Sequence, residues 1–512
     1  MNRVLVALAI ALFALAGLAP LAAMLPRIEL ADLGAMVAAR NLELLGRTLL
    51  YGGGVALIAV ALGLPFGFLV ARTDMPLANL LRPLGIVPLL IPPMILAMVW
   101  TVLADIRGAP AAYAVSALST FPIVALFSAR AFERIDARRE EAARLVGGWR
   151  AALRADLPLV LPSAACGACF AFVFTVNDYS IADYVSWLGQ PKFSVYAAEI
   201  FANWRIESKP GLAVATAMPL IAITLAALIP ALLLRRKGAM ASLSGDFRQP
   251  ARFELGAWRW PAFAFCLTLV AIGGLIPLAR LFYEAGGAAR GFELARVSRA
   301  FALAVERGRE DLANSIVWSA AAASICAALA LVLGHALERS RIGRALESFV
   351  VVPIGAPAVL LSVGVIVLWN HDWSARFYDE GGVVVLLLVG RFAAFAVLIA
   401  TAATAALDPK LEEAARLAGA GPARTLTRIV APLLRPALMG GWIGVFVLAL
   451  RELDVTMLTP AANRTAMFRI FNQVHFGRDD FVAAMALLLV FLVLLPGMLW
   501  SLFARRRLEL LP

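Results

Sequence analysis

The chain of 512 residues is 62% hydrophobic and only 16% charged, with a mean hydropathy of +0.85 and a formal net charge of +12. Those proportions exclude an ordinary water-soluble globular domain, in which apolar residues make up about half of the chain and charged residues about a quarter.

Hydropathy resolves about twelve apolar stretches of roughly 20 residues, the length that carries a helix across about 30 Å of hydrocarbon. In chain order they centre on 4–25, 49–71, 84–103, 111–132, 159–177, 212–234, 260–282, 315–337, 349–369, 383–406, 433–450 and 481–503. The first follows Arg3 and has the outline of a signal peptide, but its apolar run is too long for one. Leu21-Ala22-Ala23-Met24 also puts a bulky Leu where cleavage needs a small residue, so the segment reads as an uncleaved first span. No alternation in segments of about ten residues suggests a barrel. The expected fold is an all-α polytopic membrane protein.

The two halves of the chain repeat one another. Pro88-Leu89-Leu90-Ile91-Pro92 corresponds to Pro353-Ile354-Gly355-Ala356-Pro357, both at the start of a third span, and Arg72 and Arg339 close the second span of each half. Between the fourth and fifth spans, Glu141-Ala142-Ala143-Arg144-Leu145-Val146-Gly147 corresponds to Glu413-Ala414-Ala415-Arg416-Leu417-Ala418-Gly419. Asp136 and Asp408 stand five residues before each motif Glu, and Pro409 follows the second. This is a helix with an N-cap, a proline at its first position, acids in its first turn and a glycine stop. The second copy continues as Ala420-Gly421-Pro422 and then a second helix stopped by Pro432. In the first copy Pro158 follows Gly147 by 11 positions against 13 from Gly419 to Pro432, so its second helix is expected to be shorter or displaced.

The repeats are residues 1–237, with a loop at 133–158, and 258–512, with a loop at 407–432. A basic stretch at 238–257 joins them. Six spans per half make the repeats parallel, so both loops face the same side. Placing the N-terminus in the cytoplasm leaves about 27 of the 46 Lys and Arg inside and about 17 outside, while carboxylates divide about 14 to 20. Both loops and the Arg505-Arg506-Arg507 tail fall inside, as does the C-terminus. The positive charge is thus a cytoplasmic excess and calls for no nucleic-acid partner.

The E-A-A-x-x-x-G pattern, with a proline about 13 residues after the glycine, resembles the cytoplasmic coupling loop of the permease subunits of ABC importers. The chain is accordingly similar to a fused two-copy permease of that family, in a bacterial inner membrane. The resemblance implies that Glu141, Ala142, Ala143 and Gly147, with Glu413, Ala414, Ala415 and Gly419, form two docking helices. The alanines let each helix seat in a partner groove, the glutamates pair with basic groups there, and the glycines permit a sharp exit. It further implies two copies of a cytoplasmic ABC ATPase subunit as partners and an extracytoplasmic substrate-binding protein. The chain itself has no phosphate-binding loop, no zinc-protease motif and no nucleophile elbow. It is expected to be no enzyme and to carry no cofactor, with ATP bound by the partner.

Asn177, Asp178, Arg391, Arg451 and Glu452 lie at membrane depth or where spans emerge, where charge is costly and marks either a translocation path or a structural pair. Asp183 and Asp454 stand close to them in sequence. Cys166-Gly167-Ala168-Cys169 lies inside an apolar span and reads as small-residue packing, Cys266 and Cys326 are single, and His335, His371 and His475 make no metal set. Asn177-Asp178-Tyr179-Ser180-Ile181-Ala182-Asp183-Tyr184 and Arg451-Glu452-Leu453-Asp454, in a fused two-copy chain, look like the ferric-ion and thiamine branch of these importers. That implies ferric ion as cargo, with thiamine, polyamine, phosphonate or sulfate as alternatives. A twelve-span secondary carrier is the rival of a different class, but it has no use for duplicated docking helices.

Overall fold

The computed structural model describes residues 3–188, 192–205, 209–240, 248, 250–288, 291–340, 343–459, 463–474, 476 and 479–504. The Arg505-Arg506-Arg507 tail, His475 and most of the 241–249 stretch of the joining segment lie outside the described residues. Among the described residues the chain is helical, and the one extended pairing is an isolated bridge between Thr73 and Phe253.

Among the described residues nine helices are long and apolar enough to cross a membrane, and twelve if three bent helix pairs each count as one span. The second span of each repeat is much longer than the bilayer requires. Ala39–Arg72 has 34 residues and Leu294–Arg339 has 46, about 50 and 70 Å of helix. The third spans differ from the straight helices expected from hydropathy. Ala78–Leu90 and Pro93–Leu103 meet at 93°, and Leu346–Gly355 and Ala358–Trp369 at 101°. Pro92 and Pro357 cause the breaks, since each lacks an N–H and forces the preceding residue out of helix.

Each bent pair still crosses. Arg72 donates to the Phe132 carbonyl at the end of Gly108–Glu133, so the second and fourth spans end on one side. The fourth span starts on the other, and the bent pair has to carry the chain there. Arg339 and the Thr404 carbonyl repeat the argument for Gly382–Ala405.

The chain divides into two compact units that cut across the two sequence repeats. One holds residues 1–37, 199–221 and 282–512, and the other holds 38–198 and 222–281. In the first unit the N-terminal span packs on spans of the second repeat. A methyl group at Gly17 would meet Pro353 Cγ at 2.8 Å, and ones at Gly390 and Gly364 would strike the backbone of Ala16 and Pro20. In the second unit Gly273 and Gly274 pack in the same way on Pro88 and Val87. Each repeat's first span is therefore seated on the third span of the other repeat, at its proline. Both first spans widen into a π turn just before their own proline, at Ala14–Leu18 and Ala271–Leu275. The extra residue relieves the clash between the proline ring and the carbonyl a turn earlier.

Candidate functional site

The two motif loops fold as their sequence directs at the start. Asp136 accepts from the Arg138 amide and Asp408 from the Lys410 amide, both at 2.9 Å, and Pro409 takes the first helical position. The exits differ. In the second repeat Pro409–Leu417 ends on Gly419 at φ +81°, and Gly421 and Pro422 start the next helix. In the first, Gly147 and Gly148 break the helix on their own, the latter at φ +64°, a conformation that favours glycine. The helix after them does not stop at proline. It runs on to Asn177 through Pro158 and Pro162 and merges with the fifth span. In the second repeat a π turn at Leu426–Val430 accommodates Pro432, and the chain bends by 75° only at Leu434. The stop expected at Pro432 is thus replaced by a delayed break, and the second helix of the first repeat, expected to be shorter or displaced, is instead continuous with the fifth span.

Glu141 and Glu413 are exposed, as are Ala142, Ala414, Gly147 and Gly419, while Ala143 is half-buried and Ala415 is buried. Leu145 and Leu417, at equivalent positions, are 90% and 91% exposed, and Val146 and Trp149 stand beside the former in the open.

The residue before each motif Glu faces the other way. Glu140 is buried and forms ion pairs with Arg72 and, at 2.6 Å, with Arg144. Glu412 is buried and bound by Arg339 and His335, each at 2.9 Å. Each arginine also ties in the end of the fourth span. Arg72 donates to the Phe132 carbonyl at 3.1 Å, and Arg339 to the equivalent Thr404 carbonyl at 3.4 Å and to Leu407 at 2.8 Å. Burial pushes the Glu412 carboxyl up, but the hydrogen bonds from His335 and Arg339 and their charges outweigh it and leave its pKa lowered. These residues were within reach of sequence reasoning. Two adjacent glutamates on a helix point about 100° apart, so one of each pair has to turn inward, and the arginines recur at matching places.

The first loop has two features the second lacks. Asp156 is fully buried, and neither carboxylate oxygen is hydrogen-bonded among the described residues. It stands two residues ahead of Pro158, before the apolar span begins. Burial, reinforced by Glu140 and opposed by Arg72, Arg139 and Arg144, raises its pKa to about 6. The joining segment also returns to this loop. The Ala137 amide donates to the Arg248 carbonyl, the Phe253 amide to the Arg72 carbonyl and the Asp74 amide to the Phe253 carbonyl. The Phe253 ring lies 5.3 Å from the Arg72 guanidinium and 5.0 Å from that of Arg144.

Of the expected path residues, Asp178, Glu452 and Arg391 have partners within their own units. Asp178 accepts from the Ile181 amide and Ser180 hydroxyl, and Glu452 from the Val455 amide. Each carboxylate thereby caps the turn that follows its span. Arg391 is buried and donates to the Ala356 carbonyl at 2.7 Å, in the break of the third span. Arg451 is half-buried, and Asn177 is buried with its amide atoms making no hydrogen bond among the described residues. Asp183 accepts from the Tyr179 hydroxyl.

The sequence profile described as "Binding-protein-dependent transport system inner membrane component" matches residues 63–239 and again 322–509. The chain is 29% identical over 183 residues to the molybdate/tungstate transport system permease protein WtpB of Thermococcus kodakarensis, covering 34% of this chain and 72% of that one. It is 27% identical over 195 residues to the putrescine transport system permease protein PotI of Escherichia coli, covering 36% and 68%. Against the ferric transport system permease protein FbpB of Actinobacillus pleuropneumoniae it is 25% identical over 183 residues, covering 35% and 26%.

Proposed function

The chain belongs to the family of binding-protein-dependent transport system inner membrane components, carries the family's domain twice, and from that membership we propose how it works as the permease of an ATP-driven importer. Two cytoplasmic ATPase subunits dock one on each motif helix, and a binding protein delivers cargo to the opposite face. Both termini and the loops 133–158 and 407–432 are cytoplasmic. The observation that carries this reading is the pair of helices bolted down by a buried Glu and presenting an exposed Leu, Leu145 or Leu417. Charged neighbours such as Arg138, Glu141, Lys410 and Glu413 keep those leucines out of lipid, so a protein groove is what buries them.

The chain binds no nucleotide or other cofactor itself; ATP is held by the partner. For the cargo we propose ferric ion, on the strength of the two permease copies in one chain and the similarity to FbpB. The similarities to WtpB and PotI put molybdate or tungstate and putrescine in the same assay. Proteoliposomes holding the chain with its ATPase, and the binding protein on the outer side, should take up radiolabelled ferric ion only when ATP is supplied inside. Uptake of molybdate or putrescine instead would reassign the cargo. Uptake by the chain alone, driven by an ion gradient, would replace the importer with a secondary carrier.

A further inference from the structure

Each motif helix is fastened by charge at its start and left through glycine at its end. At its start, one arginine from the end of the second span joins three elements: its own span, the carbonyl of Phe132 or Thr404 at the end of the fourth, and Glu140 or Glu412 in the helix's first turn. At its far end the chain leaves through Gly148 or Gly419, each at positive φ, and a methyl group at either would meet nothing within 4 Å. Glycine exits of this kind transmit bending poorly. A buried carboxylate paired with an arginine that is itself fastened to backbone transmits it well, because separating the pair strands the carboxylate charge away from water. The same three-way junction occurs in both repeats although the side chains around it differ, Arg144 and Phe253 in one and His335 in the other.

We infer that Arg72 with Glu140, and Arg339 with Glu412, are positioning residues that make each motif helix a rigid extension of the second span. A displacement imposed by the ATPase then passes into Ala39–Arg72 and Leu294–Arg339, the longest helices of their repeats. It does not pass along the chain into the fifth span, from which the glycines uncouple the motif helix. This rests on the reading of the motif helices as ATPase docking elements.

The experiment uses the full chain assembled with its ATPase and binding protein in proteoliposomes. Glu412→Gln keeps the shape and removes the charge. ATPase co-purification and hydrolysis should persist, while cargo moved per ATP falls by about tenfold, the size of a typical coupling between sites. Arg339→Lys, which keeps the charge but loses the fork, should recover part of that ratio. Spin labels at Leu411→Cys, on the motif helix but outside its docking residues, and Ser340→Cys should keep one narrow distance with and without ATP, and Glu412→Gln should broaden it.

Cargo moved per ATP unchanged in Glu412→Gln would overturn the inference. So would a distance between the two labels that changes with ATP in the otherwise unaltered chain. If Glu412→Gln does not reach the membrane, Arg339→Lys and the label distance decide on their own. Failure of the unaltered chain to bind the ATPase would instead sink the importer reading, which keeps the two failures apart.

Discussion

Leu145 and Leu417 offer the cleanest separation of docking from folding. Both are about nine-tenths exposed, so the fold gains almost nothing from either, and replacing one by Ser should change stability by no more than about 0.5 kcal/mol. If an ATPase groove buries the side chain, the lost transfer energy is about 2 kcal/mol, or a factor of about 30 in dissociation constant. In the proposed assembly each leucine meets its own ATPase subunit, so the double variant should lose close to the sum of the single losses. The assay is ATPase binding to the chain in nanodiscs, run beside thermal unfolding of each variant. Undiminished affinity in the double variant would refute the docking role. A matching loss of unfolding temperature would show that the leucines serve the fold instead.

Asp156→Asn should make stability less dependent on pH. A carboxyl raised to about 6 favours the folded state fully below the ordinary carboxylate range, and that contribution is lost as pH rises through 6. The variant should therefore gain up to about 3 kcal/mol on the wild type between pH 4 and pH 8, and an equal difference at both pH values would refute it. Glu412 runs the other way: its lowered pKa gives stability present above the unfolded-state value and lost as pH falls through the folded one, and Glu412→Gln should flatten the acid side of the unfolding profile. Phe253→Ala removes a buried ring set against two guanidinium groups, at a cost of about 3 kcal/mol or more. It should open the first motif loop to protease while sparing the second, and equal cleavage of both loops would count against the brace. Glu413→Lys places a cation on an exposed docking face and should cost about 2–5 kcal/mol if its partner there is basic and buried, with a smaller uptake loss for Glu141→Lys. Equal losses at equal membrane abundance would erase the asymmetry.

The spans, the caps at Asp136 and Asp408, the glycine exits and the doubling of the motif were legible because each depends on local chemistry with a fixed spacing. The bends at Pro92 and Pro357 were half legible. The prolines were visible in the repeat, but whether a proline kinks a span or is absorbed depends on its neighbours, as Pro158 and Pro162 inside an unbroken helix demonstrate. Seating of each first span on the other repeat could not be read at all, since nothing in a run of Ala, Gly and Leu names the surface it meets. At the site, the motif marks the exposed glutamate. The buried partner stood one residue earlier, and only burial tells the two apart.

The two motif helices meet one physical demand with different residues. A buried carboxylate has about four lone pairs to satisfy and a charge to balance, so a single donor leaves it poorly held. Glu140 finds its second cation on its own helix, at Arg144. The equivalent Arg416 turns instead to the Glu412 backbone carbonyl, and Glu412 takes His335 from the second span. The position matching His335 in the first repeat is Phe68, which cannot donate. Its ring packs on Phe132 and Phe253, and Phe253 in turn lies against the guanidinium of Arg144. The joining segment thereby does for the first helix what an imidazole does for the second. What the repeats share, among the described residues, is two basic side chains on each buried glutamate, so exchanging single residues between them would leave one carboxylate short of a partner.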